Sequence, residues 1–168
     1  MMIRRLAFAF LLTTPFATPA LADAPQALGS FRDWDAFKRA QGGETACYVV
    51  STPTDKAPKN VNRDPTFFMV TNWQGRPANA EPSIIIGYPF RDGSTATVTV
   101  GSAKFEFFTK SDGAWLADPS DEKRLIDAMK NGSNMIVKGT SGRGTLTTDK
   151  YSLLGISAAL DKIGEACK

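Results

Sequence analysis

Two cysteines, Cys47 and Cys167, stand near opposite ends of a chain that contains no histidine. Ahead of them lies the pattern of a secretory leader. Met1 to Arg5 is a short basic segment, Leu6 to Thr14 a mostly apolar run, and Ala20-Leu21-Ala22 a small-residue cleavage site. The pattern predicts a signal peptide over residues 1–22 and a mature chain over 23–168, starting at Asp23. An exported chain meets an oxidising compartment, so the two thiols are expected to form one disulfide. Any fold open to this sequence must then bring an early strand and the last turn of the chain together.

Residues 23–168 suit a single domain, large enough to bury roughly 70% of its unfolded surface. The 20 Lys+Arg of the whole chain include Arg4 and Arg5 of the leader, so the rest stands within one charge of the 17 Asp+Glu. Near neutrality with interspersed signs argues against the counterion release that dominates nucleic-acid affinity, and nucleic acid is not expected as a partner. The apolar run of the leader is too short to span a bilayer, and no later run reaches about 18 apolar residues, so no transmembrane segment is expected in the mature chain. The expected location is the periplasm, with outer-membrane association or secretion as further destinations.

Along the chain, brief apolar or alternating runs are broken by Gly, Pro, Asn and Asp, which is the pattern of short strands. Strands are predicted over Ala46 to Ser51, Thr66 to Trp73 and Ser83 to Tyr88, and an exposed loop over Thr52 to Asn62. From Thr95 to Thr109 two alternating runs flank Gly101-Ser102, predicting a hairpin with a two-residue turn and one apolar face. Asp118-Pro119 with following acids predicts the start of a helix over about 119–131, its stripe formed by Leu125, Ile126 and Met129. Two more strands, Asn134 to Thr140 and Thr145 to Leu153, flank Ser141-Gly142-Arg143-Gly144. Ser157 is expected to cap a second helix, about 157–167, on which Leu160, Ile163 and Cys167 share the inner side. Seven or so strands with two short helices predict a mainly antiparallel β-sandwich held by one disulfide.

The missing histidine removes the commonest neutral-pH base, the commonest zinc ligand and every imidazole triad. Ser120 and Lys123 match an S-x-x-K pattern without its companion motifs, and the intervening acids suit a solvated first helical turn. Gly139-Thr140-Ser141-Gly142-Arg143 comes near a nucleophile elbow, but Arg stands where the last Gly belongs. Carboxylate pairs such as Asp33 with Asp35, or Asp118 with Asp121, keep a histidine-free hydrolase open as an alternative. No calcium-loop pattern occurs, and neither metal nor cofactor is expected. Trp34, Trp73 and Trp115 read first as core, whereas Arg63, Arg76, Arg91 and Arg143 lie at turn-like positions, where sandwich loops place binding sites.

The stretch Met135-Ile136-Val137-Lys138-Gly139 through Ser141-Gly142-Arg143-Gly144-Thr145 to Asp149-Lys150-Tyr151-Ser152-Leu153, with Ser157-Ala158-Ala159-Leu160 and Cys167, resembles the invasion-associated locus B family. Cys47-Tyr48-Val49, Arg63, Gly87-Tyr88-Pro89-Phe90, Phe105 to Phe108 and Ala114-Trp115 fit the same family. Its Gly-Phe-Ser before the last helix is Gly155-Ile156-Ser157 here, and the extra cysteine some members carry after the early tryptophan falls among Phe37-Lys38-Arg39. The resemblance implies an exported bacterial envelope protein with a β-sandwich fold and no enzymatic activity, named for host-cell entry by some pathogenic members.

These readings combine into a non-enzymatic periplasmic protein that acts by binding an envelope or host partner. A small-ligand or inhibitor-type binding module is the alternative from the same observations. The residues singled out are Cys47 and Cys167 for the disulfide, and Arg63, Arg143, Asp149 and Tyr151 for a binding or structural motif. Arg143 is expected to pair with Asp149, and Tyr151 to share a strand face with Leu153.

Overall fold

A computed structural model describes residues 24–76 and 80–168. The expected leader and the cleavage point before Asp23 lie outside the described residues. The described residues form eleven strands and two helices: β1 (Gln26–Phe31), β2 (Trp34–Gln41), β3 (Glu44–Ser51), β4 (Asp55–Ala57), β5 (Phe67–Trp73), β6 (Glu81–Ile85), β7 (Thr95–Val100), β8 (Ala103–Lys110), β9 (Gly113–Trp115), α1 (Pro119–Asn131), β10 (Asn134–Thr140), β11 (Leu146–Ser152) and α2 (Ile156–Ala166). All pairings are antiparallel, in the order β1-β2-β3-β5-β6-β9-β8-β7-β10-β11-β4.

The sheet is hydrogen-bonded without a break, yet it folds over on itself. Phe68 of β5 meets Phe107 of β8 at 6.4 Å and Tyr151 of β11 at 6.0 Å between ring centroids, in edge-to-face geometry. Trp34 of β2 approaches the same ring at 6.3 Å. The sandwich core therefore lies between two halves of one sheet, and each fully buried side chain such as Phe68 contributes about 1.5–3 kcal/mol of apolar transfer. Trp34 also donates its indole N–H to the Ser152 carbonyl at 3.1 Å, which fixes the β2 end against the last strand.

The Thr95 hairpin forms as its alternation dictates. Ala96, Val98, Phe105 and Phe107 are buried, Thr95, Lys104 and Glu106 face water, and Gly101 takes the first turn position at φ 57°. In α1 the Asp118 carboxylate accepts from Ser120 N at 2.8 Å, Pro119 opens the helix, and Leu125, Ile126 and Met129 are buried.

Four strands go beyond the sequence reading. β1 and β2 precede the first predicted strand, β9 occupies three residues before α1, and β4 lies inside the expected loop, where it pairs with Thr148 to Lys150 of β11. The start of α2 also differs. Ser157 does not cap it; the cap position is Gly155, at φ 93° and with no side-chain hydrogen bond. A Cβ at Gly155 would lie 2.0 Å from the Phe31 carbonyl oxygen, so close backbone approach, not capping chemistry, starts this helix. Ile156, Ala159, Leu160 and Ile163 then pack inward, and Cys167 ends the helix bonded to Cys47 of β3.

Candidate functional site

At one end of the sheet three connections converge: residues 61–64 after β4, residues 87–91 after β6, and the β10–β11 turn at 141–145. The convergence is fixed by backbone contacts. Asp64 N donates to Gly87 O at 3.0 Å, Gly142 N to Pro89 O at 2.9 Å, Arg91 N to Thr140 O at 2.9 Å, and Phe90 bridges to Ser141. Gly87 is required here. Its φ is 77°, and a Cβ would stand 2.3 Å from the Asp64 carbonyl oxygen.

Arg63 and Asp149 form the centre. The guanidinium donates through Nη1 to Asp149 Oδ1 and through Nη2 to Asp149 Oδ2, both at 2.6 Å. Its Nε and Nη2 also donate to the Ile86 carbonyl, at 3.2 and 2.7 Å. The side chains are 4% and 0% exposed. Burial disfavours the charge on Arg63, but the hydrogen bonds and opposite charge of Asp149 outweigh it and hold the guanidinium above its ordinary pKa. The ring of Tyr88 lies 5.1 Å below this guanidinium, and its hydroxyl shares a 2.6 Å hydrogen bond with the Thr147 hydroxyl. Burial pushes the Tyr88 phenol upward.

The expected Arg143–Asp149 pair does not form. Asp149 alternates with Thr147 and Tyr151 on the inner face of β11, whereas Arg143 sits on the exposed turn. Asp149 takes Arg63, 86 positions away, as its partner. Arg143 instead lines an open cleft of about 260 Å³ with Asn62, Arg63, Asp64, Gly87, Tyr88 and Pro89. A recess of about 30 Å³ adjoins it, reaching Ser141, Thr145 and Thr147. Tyr88 and Thr147 are the site residues that the sequence reading did not single out. On β11 the outward Thr148 and Lys150 are as polar as the inward Thr147 and Asp149, so no alternation of polarity marked these positions.

Tyr151 belongs to the core and not to the cleft. It is fully buried, and its hydroxyl has no hydrogen-bond partner among the described residues. Burial first, then the charge of Asp149, drives its pKa far upward. Folded Tyr151 thus keeps its proton above pH ~10, where an unfolded tyrosine loses it. Because the native state then binds more protons than the unfolded one, stability falls as pH rises past that point. Tyr151→Phe is expected to leave the melting temperature at pH 7 unchanged or raised, since it removes an unpartnered buried hydroxyl. It should also flatten the stability loss above pH ~10 in denaturant titrations, the remainder coming from Tyr88. A melting temperature lowered by about 5 °C or more at pH 7 would mean that the hydroxyl contributes a real bond.

The residues weighed for catalysis are engaged otherwise. Lys123 donates to Asp127 at 2.8 Å, Asp121 pairs with Arg124, and Asp118 caps α1. Ser141 is buried, and its hydroxyl oxygen accepts from Thr145 N at 3.1 Å. Asp33 and Asp35 line a separate cleft of about 370 Å³ beside Phe37, Val50 and Phe67. Both residues are exposed. Among the described residues no three His, Cys, Asp or Glu side chains gather as a metal site would require. The other turn arginine, Arg76, lies elsewhere, bidentate on Glu44 and 5.0 Å above the Trp73 ring.

Comparison with known proteins agrees with this architecture. The crystal structure of invasion associated protein B from Bartonella henselae superimposes with a TM-score of 0.60 at 14% identity, covering 86% of this chain and 97% of that one. At that identity the likeness concerns the fold. Among curated protein sequences none is similar to the chain. The family model described as invasion associated locus B (IalB) protein matches residues 34–164, a span that runs from the first core tryptophan to the last turn of α2 and takes in both halves of the sheet. The chain belongs to the invasion associated locus B family.

Proposed function

We propose that the protein is exported to the bacterial envelope after removal of residues 1–22 and acts there, without catalysis, by binding a partner through the cleft at Arg143. The observation that carries this reading is the convergence of three loops around an exposed arginine, while the neighbouring Arg63 is held by Asp149. A rigid sheet end presenting loop side chains is how sandwich folds build recognition sites. Absence of histidine and the structural engagement of Lys123, Asp118, Asp121 and Ser141 support a binding role over a chemical one.

A photo-crosslinking residue at position 62, an exposed cleft position that leaves Arg143 in place, compared in intact cells with one at exposed Ser157 on α2, tests the proposal. A discrete protein adduct at 62 and none at 157 is the expected result, on a protein whose N-terminus is Asp23. Equal labelling at both positions, or none at 62, would remove the support for this surface.

A further inference from the structure

Seven arginines lie in the described part of the chain, and Arg63, Arg76 and Arg124 are each paired with a carboxylate. Arg32, Arg39, Arg91 and Arg143 form no ion pair among the described residues. Two of these four are brought to the same place. Arg143 lines the cleft and its recess, and Nη2 of Arg91 stands 3.2 Å from where a Cβ on Gly144 would be. Both guanidinium groups thus flank one turn, although they come from different connections of the chain.

The frame that holds them is tight. Ser141 N donates to Thr145 O at 2.9 Å, Gly144 N to Ser141 O at 2.8 Å, and Thr145 N to the Ser141 hydroxyl oxygen at 3.1 Å. Together with the bonds from Gly142 to Pro89 and from Arg91 to Thr140, these leave the turn little freedom to lose on binding. At the floor, Arg63 has five N–H groups, of which four are engaged by Asp149 and Ile86. One Nη1 hydrogen stays uncommitted on a guanidinium that is 4% exposed. Asp64 lines the outer cleft but not the inner recess, where Arg63, Arg143, Ser141, Thr145 and Thr147 meet Val61, Asn62 and Tyr88. Its lining thus holds two arginines and three hydroxyl residues beside apolar surface, and no acid.

We infer that the Arg143–Arg91 turn and the recess beneath it bind an oxyanion, a carboxylate or a phosphoryl group carried by the partner. Planar guanidinium forks match both groups, and donors set on a rigid backbone favour an anion over the water it displaces. This rests on the binding role proposed above and names the chemistry that role uses.

Amide-resolved NMR titration with inorganic phosphate and, separately, with acetate provides the test, on the wild type and on Arg143→Gln, Arg91→Gln and Arg76→Gln. Saturable shifts at the 141–145 amides are expected, weakened about tenfold or more by Arg143→Gln and Arg91→Gln and unchanged by Arg76→Gln. Tighter phosphate binding would assign a phosphoryl group, and tighter acetate binding a carboxylate. Shifts that never saturate, or that persist equally in Arg143→Gln, overturn the inference. The crosslink at position 62, which leaves both arginines in place, separates the two proposals. An adduct without anion binding leaves the partner reading standing and this inference refuted, whereas saturable anion binding without an adduct does the reverse. Since both arginines are exposed, the variants should melt at the wild-type temperature.

Discussion

Asp149→Ala is expected to destabilise the protein by about 3–5 kcal/mol, because it leaves the guanidinium of Arg63 buried and without its countercharge. Asp149→Asn should lose somewhat less, since an amide oxygen can still accept one of the two 2.6 Å bonds. The reciprocal Arg63→Met strands a carboxylate that is 0% exposed, and its loss should be of the same order. One consequence of the local geometry tempers it. The Ile86 carbonyl loses both Arg63 donors, but the one Thr66 hydroxyl proton, 3.3 Å from this carbonyl and from that of Asp64, can turn to it. The combined Arg63→Met, Asp149→Leu variant should therefore recover much of the stability, as buried ion pairs replaced by apolar groups of similar volume often do. Urea unfolding of the four proteins measures all of this. A loss below about 1 kcal/mol for Asp149→Ala would show that water reaches the pair and that the site is looser than its geometry. Full recovery of stability in the double variant, with loss of the position-62 crosslink, would identify the ion pair as a device that shapes the cleft.

That pair also marks where sequence reading stops. Arg143 and Asp149 lie six positions apart on a hairpin, and proximity along the chain favours pairing them. The strand register decides otherwise. Asp149 stands opposite Val137 and points inward with Thr147 and Tyr151, while the turn places Arg143 outside. The true partner arrives from a segment 86 positions earlier, and no local pattern encodes that approach. The same logic separates the strands that could be read from those that could not. β7 and β8 announce themselves because each buries one full face, so polarity alternates cleanly along both. β9 and β4 are three residues each and exist through their neighbours: β9 fills the gap between β6 and β8, and β4 lies along β11. β2 carries Asp35, Lys38 and Arg39 within eight residues and looks like a solvated segment. Its inner side is legible only afterwards, as Trp34 and Ala36 in the core and Lys38 donating at 3.0 Å to the Ala166 carbonyl at the end of α2. The disulfide was accessible from composition and compartment because it needs only two residues and an oxidising environment. A buried ion pair needs the whole topology.

Removing the disulfide with Cys47→Ala and Cys167→Ala together should lower the melting temperature by about 10–20 °C. The bond closes a segment of 120 positions, for which chain entropy gives about 4–5 kcal/mol, an upper value if the unfolded chain is compact. The effect should be concentrated at α2. This helix has 11 residues, too few to persist alone in water, and its first turn lacks a side-chain cap. What holds it is the burial of Ile156, Ala159, Leu160 and Ile163 against β1, β2, β3 and β5, the Lys38 bond to Ala166, and the covalent link from Cys167 to β3. Without that link the C-terminal end keeps the Lys38 contact, a 3.4 Å bond from Gln74 Nε2 to the Lys168 carbonyl and a single apolar stripe. Hydrogen exchange in the double variant should accordingly rise first over residues 160–167, while the 95–110 hairpin, whose pairings involve neither cysteine, stays protected until global unfolding. If the melting temperature moved by less than about 3 °C, or exchange rose evenly over the sheet, α2 would be held by packing alone. The link between the two ends of the chain would then be dispensable for the fold.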